Sequence, residues 1–178
     1  MPVVSLWRRL TVALPLLLVA ALALSLFAVA PADAQRTRRE QKILHGLEIA
    51  RQQKGDPYVY GAAGPNAFDC SGLTSYSFGK AGLNLPRTTD GQYAAVRHIA
   101  KRKIRPGDLM FFHSGGSIYH VAIFLGRHGG NVWLLHASRS GTPVKRDPAW
   151  TSSWYAGTLR HRRVTLPGAE LMHASPNE

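Results

Sequence analysis

The chain has 178 residues, with 22 Lys and Arg against 10 Asp and Glu, a formal net charge of +12 and one cysteine. That length suits a single domain whose core needs no disulfide or metal staple, and a lone cysteine excludes an internal bridge. So basic a surface favours polyanions, but no nucleic-acid motif accompanies it. Three readings stay open: anionic wall polymers, phospholipid head groups, or a charged coat that keeps the protein soluble.

Taken in chain order, Arg8 and Arg9 precede an apolar run of 21 residues from Leu10 to Ala30, closed by Pro31-Ala32-Asp33-Ala34. A basic start, an apolar middle and a small-x-small site describe a secretory leader over residues 1–34, with cleavage after Ala34. The run is also long enough for an uncleaved anchor, against which Pro15 and the Ala32-Asp33-Ala34 site count. No cysteine follows until Cys70, so lipidation of a leader cysteine is excluded, and Arg8-Arg9 is a weak twin-arginine signal. Either way the working part is expected outside the cytoplasm, in the periplasm, wall or medium, without stable membrane insertion once the leader is removed. Losing Arg8, Arg9 and Asp33 leaves a charge of +11.

Residues 35–55 read as a helix, with Ile43, Leu44, Leu47 and Ile49-Ala50 at helical spacing and Gly55-Asp56-Pro57 as the stop. A Gly, Ala and Pro-rich loop spans Tyr58 to Phe68. A second helix is expected from Asp69-Cys70 to about Lys80, and a short third from Thr89-Asp90 to about His98. After Pro106 the pattern turns to strands: Leu109–His113, Ile118–Leu125, Val132–Ala137, a piece near Val144, and Thr158–Val164. Helices first and strands afterwards describe an α+β domain with an antiparallel sheet over residues 35–166, followed by a loose tail, 167–178.

If Gly126–Gly130 is the loop of a hairpin, Leu125 pairs with Asn131 and His120 falls directly opposite His136 on one face of the sheet. A register slip of one residue would part them. Cys70 opens a helix, where the dipole and free N–H groups favour thiolate. An imidazole from His120 would complete its activation, and His136 would fix the tautomer of that imidazole. Gly72 leaves the backbone there open to a substrate. Backbone N–H groups near Cys70 could hold an oxyanion, an effect often worth about 3 kcal/mol per donor.

The segments PYVYGAAGPNAFDCSGLTSYSF, LPRTTDGQY, RPGDLMFF, HVAIFLG and LLHAS resemble the NlpC-type cell-wall cysteine peptidases over roughly residues 38–162. The resemblance implies a papain-like core, N-terminal helices packed on a small antiparallel sheet, and no metal or organic cofactor. It places the nucleophile on Cys70, the base on His120 and the third residue on His136. Tyr58 would assist the oxyanion or substrate carbonyl, and Asp69 and Ser71 would shape a subsite. The implied substrate is the stem peptide of peptidoglycan, cut by a monomer, often between D-γ-glutamate and the diamino acid. An amidase freeing the stem from the glycan, an acyltransferase, a non-catalytic wall-binding module and an exported toxin are the alternatives. Tyr60 and Ala62 depart from the usual tryptophan and glycine, which bears on subsite shape.

Other residues carry blander readings beside sharper ones. Cys70, His120 and His136 could form a three-ligand zinc site, although their spacing matches no compact zinc motif. Arg87 and Thr88 suit a cap or a substrate contact, Asp108 a turn, and His113 a sheet position or rim contact. His45, His98, His128, His161 and His173 read as solvated. Trp133, Trp150, Trp154 and Tyr155 suit core or rim packing, or a sugar platform.

Overall fold

The structure is a computed structural model that describes residues 30–160, with side chains from Thr37 onward. Residues 1–29 of the expected leader (1–34), the end of the expected domain over 161–166 and the tail 167–178, with His161 and His173, lie outside the described residues. Two units divide between Arg39 and Glu40, within the first helix, and the sheet and the remaining helices belong to the second. No helix among the described residues is long and apolar enough to cross a membrane.

Three helices precede most of the sheet: α1 (Ala30–Gln52), α2 (Cys70–Lys80) and α3 (Thr89–Ala95). Six strands follow: β1 (Arg97–Ile99), β2 (Leu109–Ser114), β3 (Ser117–His128), β4 (Asn131–His136), β5 (Lys145–Pro148) and β6 (Trp154–Thr158). They form one antiparallel sheet in the order β1-β6-β2-β3-β4-β5. The α+β, papain-like arrangement expected from the sequence is therefore present. β1 is additional: the third helix stops at Ala95, and the next residues pair with β6 instead of extending it to His98. The last strand lies at 154–158, ahead of the expected 158–164, because Phe111 and Phe112 of β2 take Tyr155 and Trp154 as partners.

The sheet is buried on both faces. Leu109, Phe111, Val121, Ile123 and Leu135 pack against Ile43, Leu47, Leu73 and Phe78 of the helices. Their neighbours Met110, Phe112, Ala122, Phe124 and Leu134 form a second cluster with Ile104, Trp154 and Ala156. Central strands apolar on both sides fit this double burial better than simple alternation does. Asp108, fully buried at the entry to β2, accepts from the Arg105 N–H at 2.8 Å, bonds the Thr158 hydroxyl and pairs with Arg160. Arg160 also bonds Glu40, tying α1 to the sheet.

The β3–β4 register differs from the expected one. Ile123 pairs with Leu135 and Phe124 with Leu134, then a bulge shifts the pairing so that His128 meets Asn131. The turn has two residues, Gly129 and Gly130, both with positive φ, in place of a five-residue loop. Such turns match strand twist and need glycine-like freedom. The slip is even, so His120 and His136 keep a common face but become diagonal neighbours.

Candidate active site

Cys70 is the first residue of α2, which Asp69 caps by accepting from the Gly72 N–H at 2.7 Å. The same carboxylate accepts from the Gly61 N–H at 2.9 Å and from both terminal nitrogens of Arg87. Arg87 also reaches the Ser71 hydroxyl at 2.9 Å and the Ala62 carbonyl at 3.4 Å. Burial works to raise the Asp69 carboxyl, but Arg87 and the two N–H donors outweigh it and hold it below the usual carboxylate range. Asp69 and Ser71 thus clamp the approach loop to the helix, and Arg87 is the clamp's cation. The cap of α3 is Thr88, whose hydroxyl accepts from Gly91, one residue before the expected Thr89-Asp90.

Gly72 needs correction. A Cβ there would lie 2.0 Å from the Ala62 carbonyl oxygen, so the space beside Gly72 is filled by the protein's own loop. Glycine is required at that crossing for packing and leaves no opening for substrate.

The Cys70 thiol is half-buried, and its hydrogen-bond partner is Thr89 Oγ1 at 3.9 Å. Tyr58 stands within electrostatic reach: burial raises its hydroxyl, and negative charge at Cys70 and Asp69 adds to the effect. Tyr58, Asp69, Cys70, Ser71 and Arg87 form one group.

The histidines form another. His120 Nε2 lies 3.0 Å from His136 Nδ1, and His136 Nε2 lies 3.0 Å from Asp147 Oδ2. Lys145 Nζ holds the same carboxylate oxygen at 2.9 Å. Burial alone would raise Asp147, but Lys145 and His136 outweigh it and keep the group ionised at neutral pH. A carboxylate only accepts, so His136 must carry its proton on Nε2 and present a bare Nδ1. That Nδ1 accepts from His120 Nε2–H, which leaves Nδ1 of His120 as the free basic atom. Burial, and then His136, push the His120 imidazole down to about 3, and burial also lowers His136 against the pull of Asp147. Both rings are therefore neutral near pH 7.

The rings stand beside Phe112 and Trp150, with centroids 5.8 Å and 5.5 Å from His120. Neither ring hydrogen-bonds the thiol among the described residues. α2 packs on β3, and Cys70 lies against the cluster that contains Val121, the residue after His120 in the chain. Among the described residues β4 pairs with β3 only from Ile123 onward, so the His120 stretch of β3 has no strand partner on that side, although His120, Val121 and Ala122 are buried.

Asp147 and the Arg87 clamp escape sequence reasoning. Asp147 sits in the short strand KRDP, whose composition signals nothing; only the pairing of His136 with Lys145 and of Leu134 with Asp147 brings the carboxylate under the ring. Among the described residues no group of three or more His, Cys, Asp or Glu is placed to hold a metal, so the zinc alternative has no geometry behind it. His113 stacks on Tyr155 at 4.1 Å, a sheet role.

A family model described as the NlpC/P60 family matches residues 55–163. Over 108 residues, 60% of this chain, the sequence is 44% identical to a probable endopeptidase p60 of Listeria welshimeri. The match spans only 20% of that relative's length. The crystal structure of a P60 domain from an antigen of M. avium subspecies paratuberculosis aligns with a TM-score of 0.60 at 32% identity. It covers 68% of this chain and 97% of that one. RipD of Mycobacterium tuberculosis, described as a non-catalytic NlpC/p60 domain protein adapted to peptidoglycan binding, aligns at 0.56 and 25% identity, covering 66% and 97%.

Proposed function

The chain belongs to the NlpC/P60 family, and on that premise we propose that it is an exported thiol peptidase cutting amide bonds in peptidoglycan stem peptides. The bond between D-γ-glutamate and the diamino acid is the proposed target. Cys70 Sγ attacks the amide carbon while its proton passes to Nδ1 of His120. The tetrahedral oxyanion is met by first-turn N–H groups of α2 and the Tyr58 hydroxyl. As it collapses, the C–N bond breaks and His120 gives its proton to the leaving amine. Water, deprotonated by the same nitrogen, then cleaves the thioester, releasing the acid and restoring the thiol.

The single observation carrying this reading is the proton order imposed by Asp147, which leaves a neutral His120 with its basic nitrogen unspent. Catalytic hydrogen bonds commonly close only around substrate. The basic surface supports retention on anionic wall polymers.

A wall-binding module without turnover is the second reading, favoured by the absence of a thiol–imidazole hydrogen bond and by the similarity to RipD. Digestion of whole muropeptides, with products weighed by mass spectrometry, separates the two. An endopeptidase yields a shortened stem still on its sugar plus a released fragment; an amidase yields a bare glycan; a transferase yields a product lacking added water. Unchanged masses in wild type and Cys70→Ala alike would leave the binding module standing.

A further inference from the structure

Trp150 lies flat on the buried ring of Phe112, with centroids 4.2 Å apart and planes 14° from parallel. That stacking covers one face of the indole, and the residue is nonetheless 51% exposed, so about half of it is left to solvent. Its centroid is 5.5 Å from those of both His120 and His136. Trp150 lines a cleft of about 570 Å³ together with Asn131, Ser152, Trp154, Lys101 and Arg127. Lys101 is held in that lining, its ammonium 4.8 Å from the Trp154 ring and bonded to the Ser152 carbonyl. Trp154 itself is buried and serves as packing.

A flat apolar plate rimmed by amide, hydroxyl, ammonium and guanidinium groups is complementary to a ring with C–H groups on its face and hydroxyls around its edge. An acyl chain would cover the plate but leave the rim's polar groups without partners. Resting on the reading above, the amide to be cut hangs from a glycan, so a sugar has reason to sit beside the histidines. The geometry points to Trp150 as the platform for a pyranose ring of the glycan strand that carries the stem peptide. The enzyme then prefers glycan-linked stems to free ones, and the cleft between Trp150 and Lys101 is a substrate subsite.

Two measurements test this. The first compares kcat/KM on a disaccharide-linked tetrapeptide and on the free tetrapeptide, using Trp150→Leu, which keeps an apolar cover over Phe112, and Trp150→Phe, which keeps a flat ring. The expected result is a fall of about 10-fold in the ratio of glycan-linked to free-peptide kcat/KM in Trp150→Leu and of less than about 3-fold in Trp150→Phe, while a loss shared by both substrates reports the altered packing against His120 and His136. An equal loss on both substrates, or none on either, overturns the platform. The second needs no turnover: calorimetric titration of the protein with a peptide-free glycan tetrasaccharide, expected to show binding in wild type and none in Trp150→Leu. A wild type that cleaves stems without binding the tetrasaccharide overturns the platform and leaves the peptidase reading intact. A protein that binds the tetrasaccharide through Trp150 but cleaves nothing does the reverse.

Discussion

Lowering the pH should destabilise this protein through His120. The ring is 6% exposed and its imidazole is pushed down to about 3, whereas in the unfolded chain it titrates near 6.5. Between those values the unfolded state binds a proton that the native state refuses. The contribution of His120 is therefore complete above about pH 6.5 and drains away as the pH falls toward 3, at about 1.4 kcal/mol per pH unit. From pH 6.5 to 5.0 the loss is about 2 kcal/mol, a large fraction of an ordinary domain's stability. His136 is shifted in the same direction and adds to the loss. Urea unfolding at pH 7.5 and 5.0 measures the effect, in a Cys70→Ala background so that no thiolate can pair with the ring. Adding His120→Gln, which cannot take the proton, should shrink the pH-dependent drop by about 2 kcal/mol. An unchanged drop would refute the assignment of His120 as a buried neutral base.

Other outcomes follow from the same contacts. Asp147→Asn should harm turnover more than Asp147→Ala, because an amide can donate to His136 Nε2 and so reverse the proton order, leaving His120 Nδ1 protonated. We expect a fall of about 100-fold or more in kcat for Asn and a smaller one for Ala; the opposite ranking would discard the relay. His136→Gln, able both to accept and to donate, should retain more activity than His136→Ala, and equal kcat values would argue against an orienting role. Gly72→Ala should lower unfolding stability by about 1–3 kcal/mol through its collision with the Ala62 carbonyl, and a neutral urea midpoint would show that the loop yields there.

Local chemistry carried much of this site into the sequence. Asp69 before Cys70 announces a helix start because a carboxylate there meets unpaired N–H groups, and α2 begins at that point. The apolar, β-branched runs locate β2, β3 and β4 because their residues are buried wherever they point. Arrangements set by contacts far apart in the chain were not legible. The bulge after Phe124 depends on sheet twist, so the histidines came out opposite each other when they are diagonal. Asp147, Arg87 and Trp150 take their places through partners 11, 18 and at least 14 residues away, and the short strand KRDP that holds Asp147 is marked by nothing in its composition. Gly72 misled for the same reason: the carbonyl that fills its space belongs to a loop ten residues earlier.

The most direct test of the central claim is the rate at which iodoacetamide alkylates Cys70 in the native protein at neutral pH, compared with His120→Ala. If the negative charge of the Cys70 thiolate raises the His120 imidazole far enough for Nδ1 to take the thiol proton, wild type should react at least about 10-fold faster than the variant. Equal rates in two folded proteins would mean that the sulfur and the imidazole do not act together.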